Sequence, residues 1–567
     1  MVREDLLRLY RRPNEKMYPM CCIKKDAPPE LVEAIRQIED LADGCFGSLA
    51  LLKLHSNVAV WALLVGGIRM IEQEIAHRGD NTANLSATLQ NVSRFVPVAM
   101  KWAVKHGKPP STLATRHWTR GLAAKVDEAL NVAYQYSKFE TCLPMWHKNR
   151  YLAELVSPAL ARFTAPGTAR NRQVSAFQKG FRPKEGAFKG QRTRKADQTP
   201  QEQALFAAVL QASRKKGSVR FEYDDPWTLW RELLPGYQAR VTAIARRPDA
   251  LSLGDYTLSD FNQFYAAFLA ICAAHEFLCF RWERNHGVYP LDSAVMVRPR
   301  QRWTAMLSKL GGIPPHKCQS IISDLTFDFA RSLNLHVHPF VPLDSATLRL
   351  AVAPQFPLHS RPDENILRVC SILRPDVFDT TSLEKEPEIL ADLQKRCPRH
   401  ALQGPLPMPT PNPDIDLIVT DENSSTIVIA ELKWIRKTLR PVEIIDRDAE
   451  VLKGIRQLRQ IRRFLMDNPG HLSAQGKLPR RLNDYEHIHY LLVARDHWLW
   501  VEPADGIAIV EFEAFSTALS RSENLHSAMS DLLTYEWLPV EGRDFTVQYD
   551  RATANGVSIE CEVFYPT

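Results

Sequence analysis

Two apolar runs rich in β-branched residues, joined by a short polar turn, most constrain how this chain can fold. The runs are Leu417 to Val419 and Ile427 to Ala430, and the polar segment Asp421 to Ser425 lies between them. β-Branched residues favour strands, and Asp, Asn and Ser favour turns. The segment is therefore predicted to be a β-hairpin, with acidic residues before its first strand and at the end of its second.

These acidic residues are placed to converge. Alternate residues of a strand share a face, so Glu431 and Lys433 point to one side while Leu432 between them faces the core. Asp414 and Asp416 also share a face, and either can sit beside Glu431 across the hairpin. Two convergent carboxylates suit Mg²⁺, which takes few protein oxygens and keeps waters for substrate phosphates. A lysine beside such an ion can orient a bound water or stabilise charge on phosphorus.

The same residues resemble the motif of the PD-(D/E)XK, or restriction-endonuclease-like, nuclease superfamily. The motif here is a Pro-Asp pair ending at Asp414, a second acid at Asp416, and the Glu-x-Lys from Glu431 to Lys433. The resemblance covers about residues 380–515. It implies that Asp416, Glu431 and the Leu432 carbonyl bind Mg²⁺, for which Mn²⁺ can substitute, and that Lys433 assists the attacking water. Asp416 is the preferred first ligand because it leads directly into the apolar strand, and Asp414 is the second candidate.

A predicted helix follows the motif. Apolar residues recur with a 3.6-residue period from Val442 to Met466, before Asn468-Pro469-Gly470. On one side of this helix lie Lys453 and Gln457, four residues apart. The superfamily often places Gln or Lys on this helix, where it supports the site or touches phosphate, so Gln457 is the preferred catalytic candidate and Lys453 a nucleic-acid contact. The alternative for both is simple solvation. A buried strand over Ile488 to Ala494 completes the order strand, strand, helix, strand of the family core.

The chain length requires several domains. A chain of 567 residues is too long for one ordinary core. Four segments are predicted: a helical domain at 1–165, a basic flexible arm at 166–200, a second mostly helical domain at 201–340, and a nuclease-like domain at 341–567. The predicted fold class is α+β multidomain, with a mainly α-helical N-terminal half and a C-terminal mixed α/β restriction-endonuclease-like domain.

Helical patterns fill the N-terminal half. Amphipathic stretches predict a helix that begins at Pro29 and helices over Ser48 to His77, Leu85 to His106 and Thr112 to Phe139. A strongly apolar stretch, Leu258 to Trp282, predicts a further buried helix.

Two groups of possible zinc ligands also fall in this half. Cys272, His275 and Cys279 occur at helical spacing, and His336 and His338 alternate as in a strand. The first group lacks a fourth ligand and the second lacks a third, so both are predicted to be structural.

The arm from 166 to 200 is basic and rich in glycine, with interleaved phenylalanines. Such a segment can follow phosphates with its cations and stack bases on its aromatic rings, although a solvated linker explains the composition equally well. The candidate nucleic-acid contacts are Arg170, Arg172, Lys179, Arg182, Lys184, Lys189, Arg192, Arg194 and Lys195.

Composition narrows the functional classes. The net charge of +7 permits nucleic-acid binding. The cysteines show no paired Cys-x-x-Cys zinc pattern, the first residues contain no apolar signal core, and Val58 to Ile68 is too short to span a bilayer. These features predict a cytoplasmic protein without a membrane partner. No Walker A sequence is present, so a helicase or other ATPase would have to be a partner protein.

The sequence therefore predicts a Mg²⁺-dependent nuclease that hydrolyses phosphodiester bonds, with DNA favoured over RNA. A helical half joined to a nuclease suits bacterial, antiviral defence by analogy of architecture, and DNA repair is equally consistent. The alternative is a non-catalytic nucleic-acid-binding or scaffold protein that retains the fold. The intact set of two acids and a lysine favours the enzyme.

Overall fold

The computed structural model describes residues 27–78, 82–112, 117–166, 226–244, 251–330, 334–344, 348–360, 362–374, 376, 385–434, 441–495 and 501–566. The chain is mixed α+β with several sheets. In these residues the helices are α1 Pro29–Asp43, α2 Ser56–Arg78, α3 Thr82–His106, α4 Arg120–His147, α5 Trp227–Ile244, α6 Leu258–His286, α7 Arg300–Gly311, α8 Pro315–Asp324, α9 Gln355–Leu358, α10 Pro362–Leu373, α11 Lys385–Arg396, α12 Pro441–Asp467, α13 His471–Ala474, α14 Phe512–Arg521 and α15 Leu525–Leu533.

Strands occur in the first third of the chain, near its middle and throughout its last third. They are β1 Leu152–Ser157, β2 Leu160–Thr164, β3 Met296–Pro299, β4 Val341–Pro342, β5 Arg349–Val352, β6 Ala401–Gln403, β7 Leu417–Asp421, β8 Thr426–Lys433, β9 His487–Ala494, β10 Ile507–Glu511, β11 Phe545–Ala554 and β12 Val557–Pro566.

Two compact units are present, and each is built from separate stretches of chain. Unit 1 contains the described residues of Asp40–Ser137 and Phe181–Asp379. Unit 2 contains those of Met20–Glu39, Lys138–Gly180 and Thr380–Thr567. Each domain was predicted to be one continuous range, whereas the division between the two units passes through α1 and α4.

A five-stranded sheet in the order β10-β9-β8-β7-β6 forms the centre of unit 2. β6, β7 and β8 are antiparallel neighbours, while β9 runs parallel to β8 and β10 parallel to β9. Parallel strands need a crossover connection, and the segment from β8 to β9 supplies one that contains α12. The hairpin predicted from sequence is observed as β7 and β8, and the predicted helix and following strand are α12 and β9.

Both faces of this sheet are covered, which explains why its strands are continuously apolar rather than alternating. On one face Ile418 and Ile429 pack with Leu458 of α12. On the other face Val428 packs with Phe515 of α14, among residues of α11 and α15. The end of β8 therefore lies inside the unit rather than on a solvated hairpin.

Unit 2 contains a second sheet, in the order β1-β2-β12-β11. β2 pairs in parallel with β12, with Leu160 opposite Ser558, and Arg162 Nη2 lies 2.9 Å from Glu560 Oε2 across that pair. Residues 152–164 were included in a predicted helical domain, but they form a β-hairpin that is completed by strands about 400 positions later. Pairing over such a separation leaves no local pattern in the sequence.

Unit 1 is mostly helical, with a small sheet in the order β3-β5-β4. Met296 of β3 lies opposite Val352 of β5. This pairing draws β4 and β5 into unit 1, although the range 341–567 was predicted to form the nuclease-like domain. Trp61 and Trp303 are fully buried in this unit.

The apolar helix α6 lies in the core of unit 1. Among the described helices it is the one long and apolar enough to cross a membrane, but 78% of that apolar window is buried inside the protein. Cys272, His275 and Cys279 are buried on it, as predicted, and His275 Nε2 donates a hydrogen bond to the Ser293 carbonyl at 2.6 Å. Burial lowers the pKa of His275 to about 4, so this imidazole is neutral.

Candidate active site

The register of β7 and β8 brings the motif residues together. Leu417 pairs with Ala430 and Ile418 with Ile429. Continuing this antiparallel register by one residue places Asp416 directly opposite Glu431, and directly opposed residues of an antiparallel pair share a face. Asp416 and Glu431 therefore extend the same face as Ile418 and Ile429, which is the face covered by α12.

Asp416 is held by the neighbouring strand. Its Oδ2 accepts a hydrogen bond from the Leu432 backbone N–H at 2.8 Å. In a strand, the N–H and C=O of one residue point toward the same neighbour, so the Leu432 carbonyl also points toward the Asp416 edge. Two carboxylates and a backbone carbonyl thus face one small region at the end of β8.

Asp414 is placed differently. Its side chain is exposed, and its Oδ1 accepts a hydrogen bond from the Met408 N–H at 3.1 Å. This contact closes the extended lead-in, where Leu406 bridges Ile415. The geometry thus gives Asp414 a part in shaping the loop before β7, and it puts Asp416 at the hairpin.

The acid and the amine of the Glu-x-Lys form a buried ion pair. Glu431 is 1% exposed, and Lys433 Nζ lies 2.5 Å from Glu431 Oε1. The side chain of Lys433 is 14% exposed, so its ammonium group lies at the boundary between the interior and solvent. Leu432, between them, is buried in the core on the opposite face of the sheet. The alternation predicted from sequence is therefore confirmed, and a fully solvated pair of charges is excluded.

Helix α12 approaches this pair closely because one of its residues has no side chain. A Cβ atom on Gly454 would lie 3.4 Å from Glu431 Cγ, 3.2 Å from Lys433 Cε and 2.6 Å from Leu492 Cδ1. An isolated glycine in a helix interior costs about 1 kcal/mol relative to alanine, so it usually has a packing reason. Here the reason is room for Leu492 and for the Lys433 side chain, whereas Glu431 Cγ would be in ordinary van der Waals contact. Gly454 was not among the site residues predicted from sequence, although a lone glycine in a strongly periodic helix is a usable signal.

A second glycine lies against the acid on the other strand. A Cβ atom on Gly404, just after β6, would lie 2.1 Å from the Asp416 carbonyl oxygen. Any side chain at 404 would therefore displace the backbone that carries Asp416.

Gln457 and Lys453 occupy different environments on α12. Gln457 follows Gly454 by three residues and so lies on the same side of the helix. Its Oε1 is buried and has no hydrogen-bond partner in the described part of the chain. A buried amide oxygen without a partner is costly, and a metal-bound water or a substrate hydroxyl could supply the missing donor. Lys453 is exposed.

Another buried acid anchors the first half of α12. Asp448 is 2% exposed, and its Oδ2 lies 2.6 Å from Arg150 Nη2. Both residues belong to unit 2, so a segment nearly 300 positions earlier in the chain helps to fix the helix that covers the site.

The donor set fits a hard cation. Asp416, Glu431 and the Leu432 carbonyl provide oxygen ligands only, and Mg²⁺ completes its shell with waters. The described residues contain no group of three His, Cys, Asp or Glu side chains arranged to hold a metal. Binding here would therefore depend on two carboxylates, the backbone carbonyl and water. The nine predicted nucleic-acid contacts in the basic arm, Arg170 to Lys195, lie outside the described residues.

Comparisons of the chain with protein-family models, with curated proteins and with solved structures each find no match. The functional assignment therefore depends on the residues of the site itself.

Proposed function

We propose that the protein is a Mg²⁺-dependent nuclease whose catalytic domain is unit 2, with the restriction-endonuclease-like fold that the motif resembles. One observation carries the proposal. Asp416 and Glu431 are opposed across β7 and β8, and Lys433 Nζ lies 2.5 Å from Glu431 Oε1. Helix α12 packs closely over these residues because Gly454 has no side chain. Acidic ligands beside a positioned amine suit hydrolysis of a phosphodiester.

Each residue has a distinct role in this proposal. Asp416, Glu431 and the Leu432 carbonyl would hold Mg²⁺, with Mn²⁺ as a substitute. The bound ion would lower the pKa of a water and neutralise charge on the phosphate. Lys433 donates hydrogen bonds to the attacking water and to the phosphoryl oxygens as negative charge develops. Gln457 positions a water or a phosphate oxygen through its buried amide.

The bond changes are those of hydrolysis. The water oxygen forms the new bond to phosphorus and one proton of the water passes to solvent. The bond from phosphorus to the leaving sugar oxygen breaks in line, and that oxygen takes up a proton from solvent to leave as a hydroxyl group. In this proposal Lys433 acts through its hydrogen bonds and its positive charge.

DNA is the proposed substrate, with RNA as the less favoured choice. The mainly helical unit 1 would then select the target, and a separate helicase or ATPase would supply any ATP-driven unwinding. A cytoplasmic role in defence against foreign DNA, or in DNA repair, is the biological setting proposed by analogy of architecture.

A cleavage assay with charge-removing variants tests the proposal. Purified protein is incubated with single- and double-stranded DNA and RNA, with Mg²⁺ or with EDTA. Asp416→Asn, Glu431→Gln and Lys433→Met should each lower the cleavage rate by about 10²–10³-fold, because each removes a ligand or a charge needed in the transition state.

Asp414→Asn is the matched control. It removes the neighbouring carboxylate of the same Pro-Asp segment, and it should keep cleavage within about tenfold of the unaltered protein because Asp414 contacts Met408 rather than the site. Circular dichroism checks that each variant is folded. Absence of Mg²⁺-dependent cleavage by the unaltered protein, or equal cleavage by all four variants, would contradict the proposal. Nucleic-acid binding without cleavage would favour the non-catalytic scaffold.

A further inference from the structure

Two cysteines from distant parts of the chain lie in contact in unit 2. The Cys142 thiol, on α4, donates a hydrogen bond to the sulfur of Cys561, on β12. Cys561 Sγ donates in turn to the Asp550 carbonyl of β11 at 3.6 Å. Both cysteines are free thiols and both belong to unit 2, so the contact is made within one compact unit.

A second contact brings the same faces of α4 and the sheet together. Lys138 precedes Cys142 by four residues, so the two side chains lie on one side of the helix. On the sheet, Asp550 is directly opposite Cys561, and directly opposed residues share a face. Lys138 Nζ lies 2.5 Å from Asp550 Oδ2, beside the contact between the cysteines. The positions of the two sulfurs therefore agree with the helix periodicity, the strand register and an ion pair.

The two sulfurs differ in their access to solvent. Cys142 is 1% exposed, whereas Cys561 is half-buried. A small oxidant can thus reach Cys561 from solvent, while Cys142 is shielded by the protein. Redox-sensitive cysteines often show this arrangement, in which an accessible thiol lies beside a second thiol that resolves its oxidised form.

The surroundings also make Cys561 the more acidic of the two thiols. The hydrogen bond from Cys142, together with the Lys138 ammonium group, lowers the pKa of Cys561. Burial and the carboxylates of Asp550 and Glu562 oppose this shift without reversing it. The pKa of Cys142 is instead raised, by the same hydrogen bond and by burial. Since the thiolate is the reactive form of cysteine, Cys561 reacts first.

The other described cysteines lack this combination. Each of them has a raised pKa, with burial as the first cause. Cys45 is half-buried like Cys561, but burial and then Asp43 raise its pKa to about 12. Among the described thiols, Cys561 therefore combines contact with a second thiol, access to solvent and a lowered pKa.

We propose that Cys561 and Cys142 form a reversible disulfide, in which Cys561 is the thiol that reacts with a peroxide and Cys142 is the resolving thiol. This inference is independent of the proposed nuclease activity. Disulfides in cytoplasmic proteins are usually transient and redox-sensing, so the bond responds to an oxidant and is not permanent.

The peroxide is consumed in two steps. The Cys561 thiolate attacks one oxygen of hydrogen peroxide, a sulfur–oxygen bond forms and the oxygen–oxygen bond breaks. The released hydroxide takes up the proton that the thiol gave up. The Cys142 sulfur then attacks the Cys561 sulfur, and hydroxide leaves as water with the Cys142 proton. Two thiols are oxidised and one peroxide is reduced to two waters, and a dithiol reverses the oxidation by becoming a disulfide itself.

The bond would tie together two segments that are more than 400 positions apart in the chain. A disulfide stabilises a protein mainly by restricting the unfolded chain, and the effect is larger for longer loops. Oxidation should therefore raise the Tm of unit 2 by about 5–15 °C, and a dithiol should return it to the starting value.

Peptide mapping tests the inference. Full-length protein is reduced with dithiothreitol, freed of the reductant and treated with hydrogen peroxide while folded. Remaining thiols are blocked with N-ethylmaleimide, and the protein is digested without reductant for mass spectrometry. We expect the main disulfide to link the peptides that contain Cys142 and Cys561, and we expect dithiothreitol to remove it.

Single substitutions separate the roles of the two thiols. Cys142→Ser should stop the oxidation of Cys561 at the sulfenic acid, which dimedone traps, whereas Cys561→Ser should give neither a bridge nor a dimedone adduct at Cys142. Cys397→Ser is the matched control. It removes another thiol of unit 2 that is 1% exposed and whose Sγ donates to the Ser516 carbonyl at 3.5 Å, so it should leave the bridge unchanged.

A measurement on the unaltered protein needs no variant. Iodoacetamide at pH 7 should alkylate Cys561 at least tenfold faster than Cys45, because Cys45 holds its proton more tightly. Alkylation of Cys561 no faster than that of Cys45 would overturn the inference. The same holds if peroxide gives no link between Cys142 and Cys561, or gives it only after the protein is unfolded.

Discussion

Replacing Gly454 with alanine tests whether α12 covers the acid–lysine pair only because residue 454 lacks a side chain. The new Cβ atom would lie 2.6 Å from Leu492 Cδ1 and 3.2 Å from Lys433 Cε. Carbon atoms in contact prefer about 3.5–4.0 Å, so the first separation is strongly repulsive. Leu492 is fully buried, and it can move only by displacing other core residues.

Two opposite contributions set the change in stability. Glycine to alanine in a helix interior stabilises by about 1 kcal/mol, whereas adding a methyl group to a filled core costs about 1–3 kcal/mol. The repulsion should prevail, and we expect a net loss of about 1 kcal/mol. For a unit of this size that loss lowers the Tm by about 2–4 °C. Displacement of Lys433 by about 1 Å should also reduce any cleavage by about 10²-fold.

Gly236→Ala provides the matched control. Gly236 lies inside α5, and a Cβ atom there would meet no atom within 4 Å. Only the helix propensity then changes, so this variant should gain about 1 kcal/mol. Thermal unfolding is monitored by circular dichroism. The change in Tm of unit 2 for Gly454→Ala, and of unit 1 for Gly236→Ala, shows whether each variant loses or gains stability. If Gly454→Ala gains stability as Gly236→Ala does and cleaves normally, α12 does not depend on the missing side chain.

A buried glutamate and a half-buried histidine give predictions with opposite dependence on pH. Burial, with a smaller contribution from Glu72, raises the pKa of Glu276 to about 8. Unit 1 should therefore lose stability as the pH rises from about 4.5 to 8. The loss in the free energy of unfolding is at most about 5 kcal/mol. Glu276→Gln should remove this dependence in thermal melts at pH 5 and pH 9, and an unchanged slope would refute the assignment. Burial, then the neighbouring His487 and His526, lower the pKa of His489 from its usual 6.5, so unit 2 should lose stability as the pH falls below 6.5. His489→Gln should weaken the dependence of the stability of unit 2 on pH below 6.5. A dependence as steep as that of the unaltered protein would contradict this prediction.

The elements around the candidate site could be predicted because their signals are local. The apolar runs of β7 and β8 and the periodicity of α12 each lie within one continuous segment, and the structure confirms them. The stretch from Phe512 to Leu533 forms two helices, α14 and α15. It breaks before α15, where the side chain of Asn524 accepts a hydrogen bond from the Ser527 N–H as a helix N-cap.

Long-range pairing could not be predicted in the same way. The hairpin of β1 and β2 joins β12, and Arg150 reaches Asp448, through contacts between residues hundreds of positions apart. Neither segment carries a pattern that specifies its partner. Alternation places Asp414 and Asp416 on one face, so the preference for Asp416 came only from its place next to the apolar run. In the structure the register and the Met408 contact separate the two.

Two features at one point of unit 2 are unfavourable for folding, and together they favour a functional explanation. A buried ion pair is weak evidence of stabilisation, because well-packed apolar residues of similar size are often as stable or more so. Glu431 and Lys433 nevertheless form such a pair, with Glu431 only 1% exposed. A helix-interior glycine also costs stability, and Gly454 lies directly over that pair. If only folding mattered, alanine would be favoured at position 454 and aliphatic side chains at positions 431 and 433. Departures from local rules tend to gather at functional sites, and a site that must hold a cation and admit a phosphate explains both departures at once.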